Sequence, residues 1–190
     1  MSQFLDHFDK IYFGKLNKRA ETFRKLFELL EEKNKDYYLI VETGCSRSKN
    51  NYSGDGMSTV LFDKFVNFHD GKVISVDINE VNCNFARSLV SNQTEIFCDD
   101  SVKFLWGLNP STNIDLLYLD SFDINFNKPH PSMLHHIKEL CAIIGRLEKG
   151  AIIVVDDNIE KSGKGGYVAD FMENLGYKKI IDEYQIAWIL

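Results

Sequence analysis

Five short apolar runs recur along this 190-residue chain, and each ends in a carboxylate. Leu39–Val41 ends at Glu42, Val73–Val76 at Asp77, and Glu95–Cys98 at Asp99 and Asp100. Ile114–Leu119 ends at Asp120, and Ala151–Val155 ends at Asp156 and Asp157. Runs of this length, separated by stretches with helical periodicity, predict strands buried on both faces, and hence an α/β fold with a largely parallel sheet. In such a sheet every strand delivers its last residue to one edge, where open α/β folds bind ligands. The acids therefore converge at one edge of the sheet. The first run continues into Gly44, and Gly54-Asp55-Gly56 then leads into Met57-Ser58-Thr59. The glycines let backbone approach a ligand closely, and the helix start offers unpaired N–H groups. Glu42 repels a pyrophosphate and attracts an ammonium, so the cradle suits an amino-acid-bearing nucleoside better than a dinucleotide.

Between the runs, Met57–Phe68 and Tyr167–Leu175 have helical apolar patterns, as does the stretch holding Met133, Ile137 and Leu140. Tyr177–Tyr184 and Gln185–Leu190 predict a closing hairpin. Ahead of the sheet, residues 1–35 form a helical extension, and residues 36–190 form the ligand-binding domain, with one domain overall. Leu16, Ala20, Phe23, Phe27 and Leu30 make a stripe that packs on the sheet flank. Phe4, Leu5, Phe8, Ile11 and Tyr12 make a second, aromatic stripe, expected to be a lid over the site or a contact with another subunit. The turn Ser162-Gly-Lys-Gly-Gly166 is a connector, an active-site loop or a phosphate-holding loop.

The segment around Glu42, Gly44, Gly54 and Gly56 resembles the first motif of class I S-adenosylmethionine-dependent methyltransferases, an acidic residue followed by Gly-x-Gly-x-Gly. It departs from that pattern in its split glycines, since Cys45–Ser53 intervenes. The resemblance implies a three-layer α/β/α Rossmann-like methyltransferase fold, with a seven-stranded, mostly parallel sheet and an antiparallel last strand. It implies S-adenosylmethionine as cofactor, held by Glu42, Gly44, Gly54, Gly56 and Ser58 at the first loop. Asp77 would hold the ribose hydroxyls, with Ile78 beside the adenine, and Asp100 with Ser101 would meet the adenine edge. The acids ending the fourth and fifth runs are similar to those of metal-dependent, catechol-type O-methyltransferases. That likeness implies a Mg²⁺ site at Asp120, Asp157 and Asn158, with Asp156 replacing or supplementing Asn158. That group has a Lys three residues after the fourth-strand Asp, where this chain has Asp123. With that lysine absent, His130 is either the general base or a helix cap, and Asp120 is the other catalytic candidate. His135 lies one turn later, and His136 shares the apolar stripe, as a core histidine does.

A formal charge of −6 argues against a partner bound through phosphates, so no nucleic acid is expected. Cys45, Cys83, Cys98 and Cys141 form no C-x-x-C pair, which points to reduced thiols and a cytoplasmic protein. No apolar run is long enough for a membrane span. The expected activity is methyl transfer to an oxygen of a small molecule or saccharide, with a homodimer as one way of completing the site. A nicotinamide-dependent oxidoreductase would need a tight G-x-G-x-x-G and no acid before it. A non-catalytic binding protein with a methyltransferase fold would keep cofactor affinity without turnover.

Overall fold

The computed structural model describes residues 2–110, 113–159 and 163–190. Seven strands form one sheet: β1 (Tyr38–Thr43), β2 (Gly71–Asp77), β3 (Thr94–Cys98), β4 (Leu116–Leu119), β5 (Ile152–Val155), β6 (Lys179–Asp182) and β7 (Ile186–Ile189). Their order is β3-β2-β1-β4-β5-β7-β6. β1 to β5 run parallel, and β7 inserts antiparallel between β5 and β6. The expected architecture is therefore the observed one. The order reverses between β1 and β4, the switch point beside which doubly wound sheets open their ligand crevice.

Alternation along the strands divides the core into two layers. Tyr38 and Ile40 of β1, Leu116 and Tyr118 of β4, and Ile152 and Val154 of β5 face one cluster. Their neighbours Leu39, Val41, Leu117, Leu119, Ile153 and Val155 face the other. The first cluster is closed by α1 (Gln3–Ile11), α2 (Ala20–Glu32) and α3 (Ser58–His69). The second is closed by α5 (Ser101–Gly107), α6 (His130–Ile143) and α7 (Gly166–Asn174), while α4 (Glu80–Arg87) packs on β3.

The aromatic stripe of α1 is neither a lid nor a subunit contact. Phe4, Leu5, Phe8 and Tyr12 are buried within this chain, Phe4 meeting Phe27 and Phe65 edge-on with centroids 4.9 and 5.1 Å apart. The two N-terminal stripes share one cluster with the sheet, because the rings of Phe4, Phe8, Phe23, Phe27, Phe62 and Phe65 cement both helices onto it. α3 is likewise buried nearly all round over Ser58–Val66, where the sequence suggested an amphipathic element. His136 lies fully buried on α6, its Nδ1 2.8 Å from the Ser132 carbonyl. Burial pushes its pKa down to about 4, so it is neutral at ordinary pH.

Candidate active site

β1 must pass β4 closely to place both strand ends at the crevice, and Gly44 permits it. Its φ is +79°, and a Cβ there would lie 2.6 Å from the Asp120 carbonyl oxygen. The turn brings its N–H within 2.8 Å of the Val76 carbonyl, and the Asp120 N–H donates to the Thr43 carbonyl at 3.0 Å. β1, β2 and β4 thus end together around a cleft that Gly44, Gly54, Ser58, Asp77, Asp120 and Asp157 all line.

Glu42 sits beneath this cleft, not in it. It is fully buried and accepts hydrogen bonds from Ser58, Thr59 and Ser75, the last two at 2.7 Å. Even numbering along β1 turns it toward α3, so it fastens the start of that helix to the strand instead of meeting a ligand ammonium. Burial pushes its pKa up to about 7, against the pull of the three hydroxyls. Met57, at φ 55°, leads into α3 in the left-handed conformation.

Asp77 accepts the N–H groups of Asn79 at 2.7 Å and Cys45 at 3.3 Å, tying the first loop to β2. Ile78 is exposed. Asp100 caps α5 through the Lys103 N–H at 2.8 Å, and Ser101 is buried 3.0 Å from His135 Nε2. These three stand apart from the cleft lining. Gly56, with φ +75°, packs its backbone against the Arg19 side chain. His130 is also outside the lining; its Nδ1 is 2.7 Å from the Tyr167 hydroxyl and the two rings stack.

Two cations dominate the β4–β5 side, and neither was singled out from the sequence. Arg19, just before α2, is 4% exposed. Its Nε contacts Asp156 Oδ1 and Oδ2 at 3.0 and 2.8 Å, its Nη1 the Gly54 carbonyl at 2.8 Å, and its Nη2 Asp157 Oδ1 at 2.8 Å. Tyr184, from the β6–β7 turn, lies under the guanidinium at 4.6 Å and donates to Asp157 Oδ1 at 2.7 Å. Lys164 is 2% exposed; its Nζ contacts Asp120 Oδ1 and lies 3.0 Å from Asp157 Oδ2. Burial works against charge on Arg19 and Lys164, and the aspartates outweigh it, holding both above their ordinary values. Burial also raises Asp120, which sits well above the usual carboxylate range despite Lys164. For Asp157 the balance reverses: Lys164, the Tyr184 hydroxyl and Arg19 overcome burial and hold it below that range.

Lys164 arrives on a turn that only glycine allows, since a Cβ at Gly163 would lie 2.4 Å from the Asp157 carbonyl oxygen. Ser162 of that turn lies outside the described residues. Asn158 turns away from the cluster: Asp157 takes φ +48°, and the Asn158 amide donates to the Glu183 carbonyl at 2.8 Å and to Asp182 at 3.3 Å. Asp156 takes its place, so Asp120, Asp156 and Asp157 bring one oxygen each within 4.8 Å of one another. That donor set has the hardness a divalent cation needs. Its oxygens are already held by Arg19 and Lys164, so a metal does not fit unless a buried ammonium is expelled.

For a nucleoside cofactor the fit is better. Ser46 Oγ and Asp55 Oδ2, both in residues lining the cleft, are buried with no hydrogen-bond partner among the described residues. Such atoms are costly to leave unsatisfied, and a bound polar ligand would satisfy them. The cleft encloses only about 80 Å³, and Arg47 in its lining reaches from Asp55 at 3.4 Å to Asp123 at 2.9 Å. Arg47 is about half exposed, so this clasp is weak.

No family model matches the sequence, and no curated protein matches it. Solved structures do match. The O-methyltransferase NovP is similar over 90% of this chain and 79% of its own, at 16% identity and a TM-score of 0.64. The calicheamicin methyltransferase CalS11 is similar over 92% and 80%, at 14% identity and a TM-score of 0.61. SMU.1697c from Streptococcus mutans, solved in complex with SAH, is similar over 88% and 96%, at 12% identity and a TM-score of 0.56. The strand order, the switch-point cleft and these matches together give the chain the fold of class I S-adenosylmethionine-dependent methyltransferases.

Proposed function

We propose that this chain is an S-adenosylmethionine-dependent methyltransferase that methylates an oxygen of a small molecule or saccharide. The observation that carries the proposal is the pair of unsatisfied buried atoms, Ser46 Oγ and Asp55 Oδ2, in a switch-point cleft with Asp77 on its wall. The likeness to NovP, an O-methyltransferase by name, supports oxygen as the acceptor atom. When bound, the cofactor supplies a methyl group already activated on a sulfonium. The protein need only align the acceptor and remove a proton.

In this reading the Gly44–Ser46 backbone and Ser58 hold the amino-acid end of the cofactor, and Gly54 with Gly56 shapes the loop over it. Glu42 acts indirectly, by fixing Ser58 and Thr59. Asp77 takes the ribose hydroxyls, Ile78 covers the adenine, and Asp100 with Ser101 lies at its edge. Asp120 faces the acceptor and takes its proton, its neighbours Asp156 and Asp157 disfavouring a further negative charge there. His130 belongs to the acceptor rim with Tyr167, and either residue can contact a bound sugar or phenol. Among the described residues no helix is long and apolar enough to cross a membrane. Free cysteines support a cytoplasmic setting.

Calorimetric titration with S-adenosylmethionine, followed by a screen of hydroxylated acceptors for methyl transfer, tests the proposal. Binding with turnover on an acceptor is expected. Binding without turnover on any acceptor would favour a non-catalytic binding protein, and no binding would remove the proposal.

A further inference from the structure

We infer that the acidic corner of this cleft works without a divalent metal ion, Lys164 standing as a tethered cation where a bound metal would sit. The three carboxylates of Asp120, Asp156 and Asp157 converge as metal ligands would. Five of their six oxygens already accept from side-chain cations. Arg19 takes both oxygens of Asp156 and Oδ1 of Asp157, and Lys164 takes Oδ2 of Asp157 and Oδ1 of Asp120. Lys164 therefore bridges the ends of β4 and β5, the bridge a metal would otherwise make.

Charge balance and burial both favour this arrangement. Even with all three carboxylates ionised, the two cations leave a net charge of only about −1, and the upward shift of Asp120 makes the corner less negative still, so adding a divalent ion without losing either cation would leave it at about +1 or more in a mostly desolvated corner. Expelling Lys164 instead would strand its ammonium, 2% exposed, away from the aspartates that hold it. The turn is also shaped for the lysine. Gly163 packs on the Asp157 and Asn158 backbone closer than any side chain allows, and the Lys164 N–H is 3.2 Å from the Asp157 carbonyl, so the stem enters the cleft from a fixed point. Lys164 lines the cleft and commits two of its three N–H donors to aspartates, leaving one for an oxygen of the ligand. An ammonium so placed orients an acceptor oxygen, as a metal would, without offering it a coordination bond.

The inference deepens the methyltransferase reading but is tested apart from it. Mn²⁺ is titrated into the full chain and the free ion is counted by electron paramagnetic resonance, with S-adenosylmethionine affinity measured separately by calorimetry. The wild-type protein is expected to bind no Mn²⁺ at millimolar concentration. Lys164→Met and Lys164→Ala, either of them provided it keeps its circular dichroism spectrum, are expected to gain a site at least about tenfold tighter. Stoichiometric Mn²⁺ binding to the wild type, abolished in Asp120→Asn, would overturn the inference. So would folded Lys164 variants that bind no more Mn²⁺ than the wild type does, since the carboxylates would then form no latent metal site. Failure of S-adenosylmethionine to bind would sink the methyltransferase proposal and leave the Mn²⁺ result standing.

Discussion

Arg19 holds the N-terminal segment to the carboxyl edge of the sheet, and Arg19→Met removes its charge while keeping most of its length. Asp156, 0% exposed, has both oxygens on this guanidinium, so the variant leaves a buried carboxylate without its cation. Breaking one side of a buried ion pair costs about 3–5 kcal/mol, because the remaining charge loses its partner without regaining water. At about 2–4 °C per kcal/mol for a chain of this size, Tm should fall by roughly 6–20 °C. Urea denaturation with an unchanged m-value gives the free energy, and calorimetry gives Tm. Adding Asp156→Asn to the variant should restore most of the loss, since the stranded charge is then gone. A loss below about 1 kcal/mol, or a double variant no more stable than the single one, would refute the claim that the buried charge of Asp156 depends on Arg19.

Other outcomes follow from the same structure. Glu42, raised from 4.5 to about 7, favours the folded state below pH 4.5 and loses that contribution as pH rises to about 7; His136, lowered from 6.5 to about 4, favours it above pH 6.5 and loses that contribution as pH falls to about 4. Each shift corresponds to about 3 kcal/mol, so the two nearly cancel between pH 4.5 and 6.5; Glu42→Gln should expose a rise in stability with pH there and His136→Gln a fall, read by urea titration at several pH values. Parallel pH profiles in both variants would contradict this. Gly44→Ala should lose about 1–3 kcal/mol and cofactor binding together, because its φ of +79° and its approach to Asp120 both exclude a Cβ; a variant that binds normally would show the turn to be adaptable. Arg47→Ala should tighten S-adenosylmethionine binding by up to about fivefold, since entry no longer breaks the clasp; a marked loss of affinity would show instead that Arg47 touches the cofactor.

Strand-end acids were legible because a buried parallel strand writes itself as an apolar run and its last residue must meet the sheet edge. Asp77, Asp120 and Asp157 accordingly line the predicted cleft. Burial on the α2 side follows from period-two alternation, which turns Asp156 toward Arg19 and away from solvent. Asn158 escaped that logic, since the left-handed Asp157 re-aims the chain and nothing in the residue types announces it. Arg19 and Lys164 were hidden for a different reason. A lysine between glycines looks like a solvated turn, and an arginine beside an apolar stripe looks like a helix surface; only tertiary folding shows that both are buried on aspartates. A usable signal did exist, the excess of acids at one sheet edge, which calls for either a metal or internal cations. The α1 stripe failed similarly, because an aromatic face records that it must be covered but not by what.

Whether the switch-point cleft takes S-adenosylmethionine is decided by one titration: calorimetry of the wild-type chain and Asp77→Ala with S-adenosylmethionine, with NAD as a control. One site is expected on the wild type, weakened at least about tenfold in the variant, with no NAD binding. A wild-type protein that does not bind S-adenosylmethionine, or whose binding is indifferent to Asp77, would contradict this expectation.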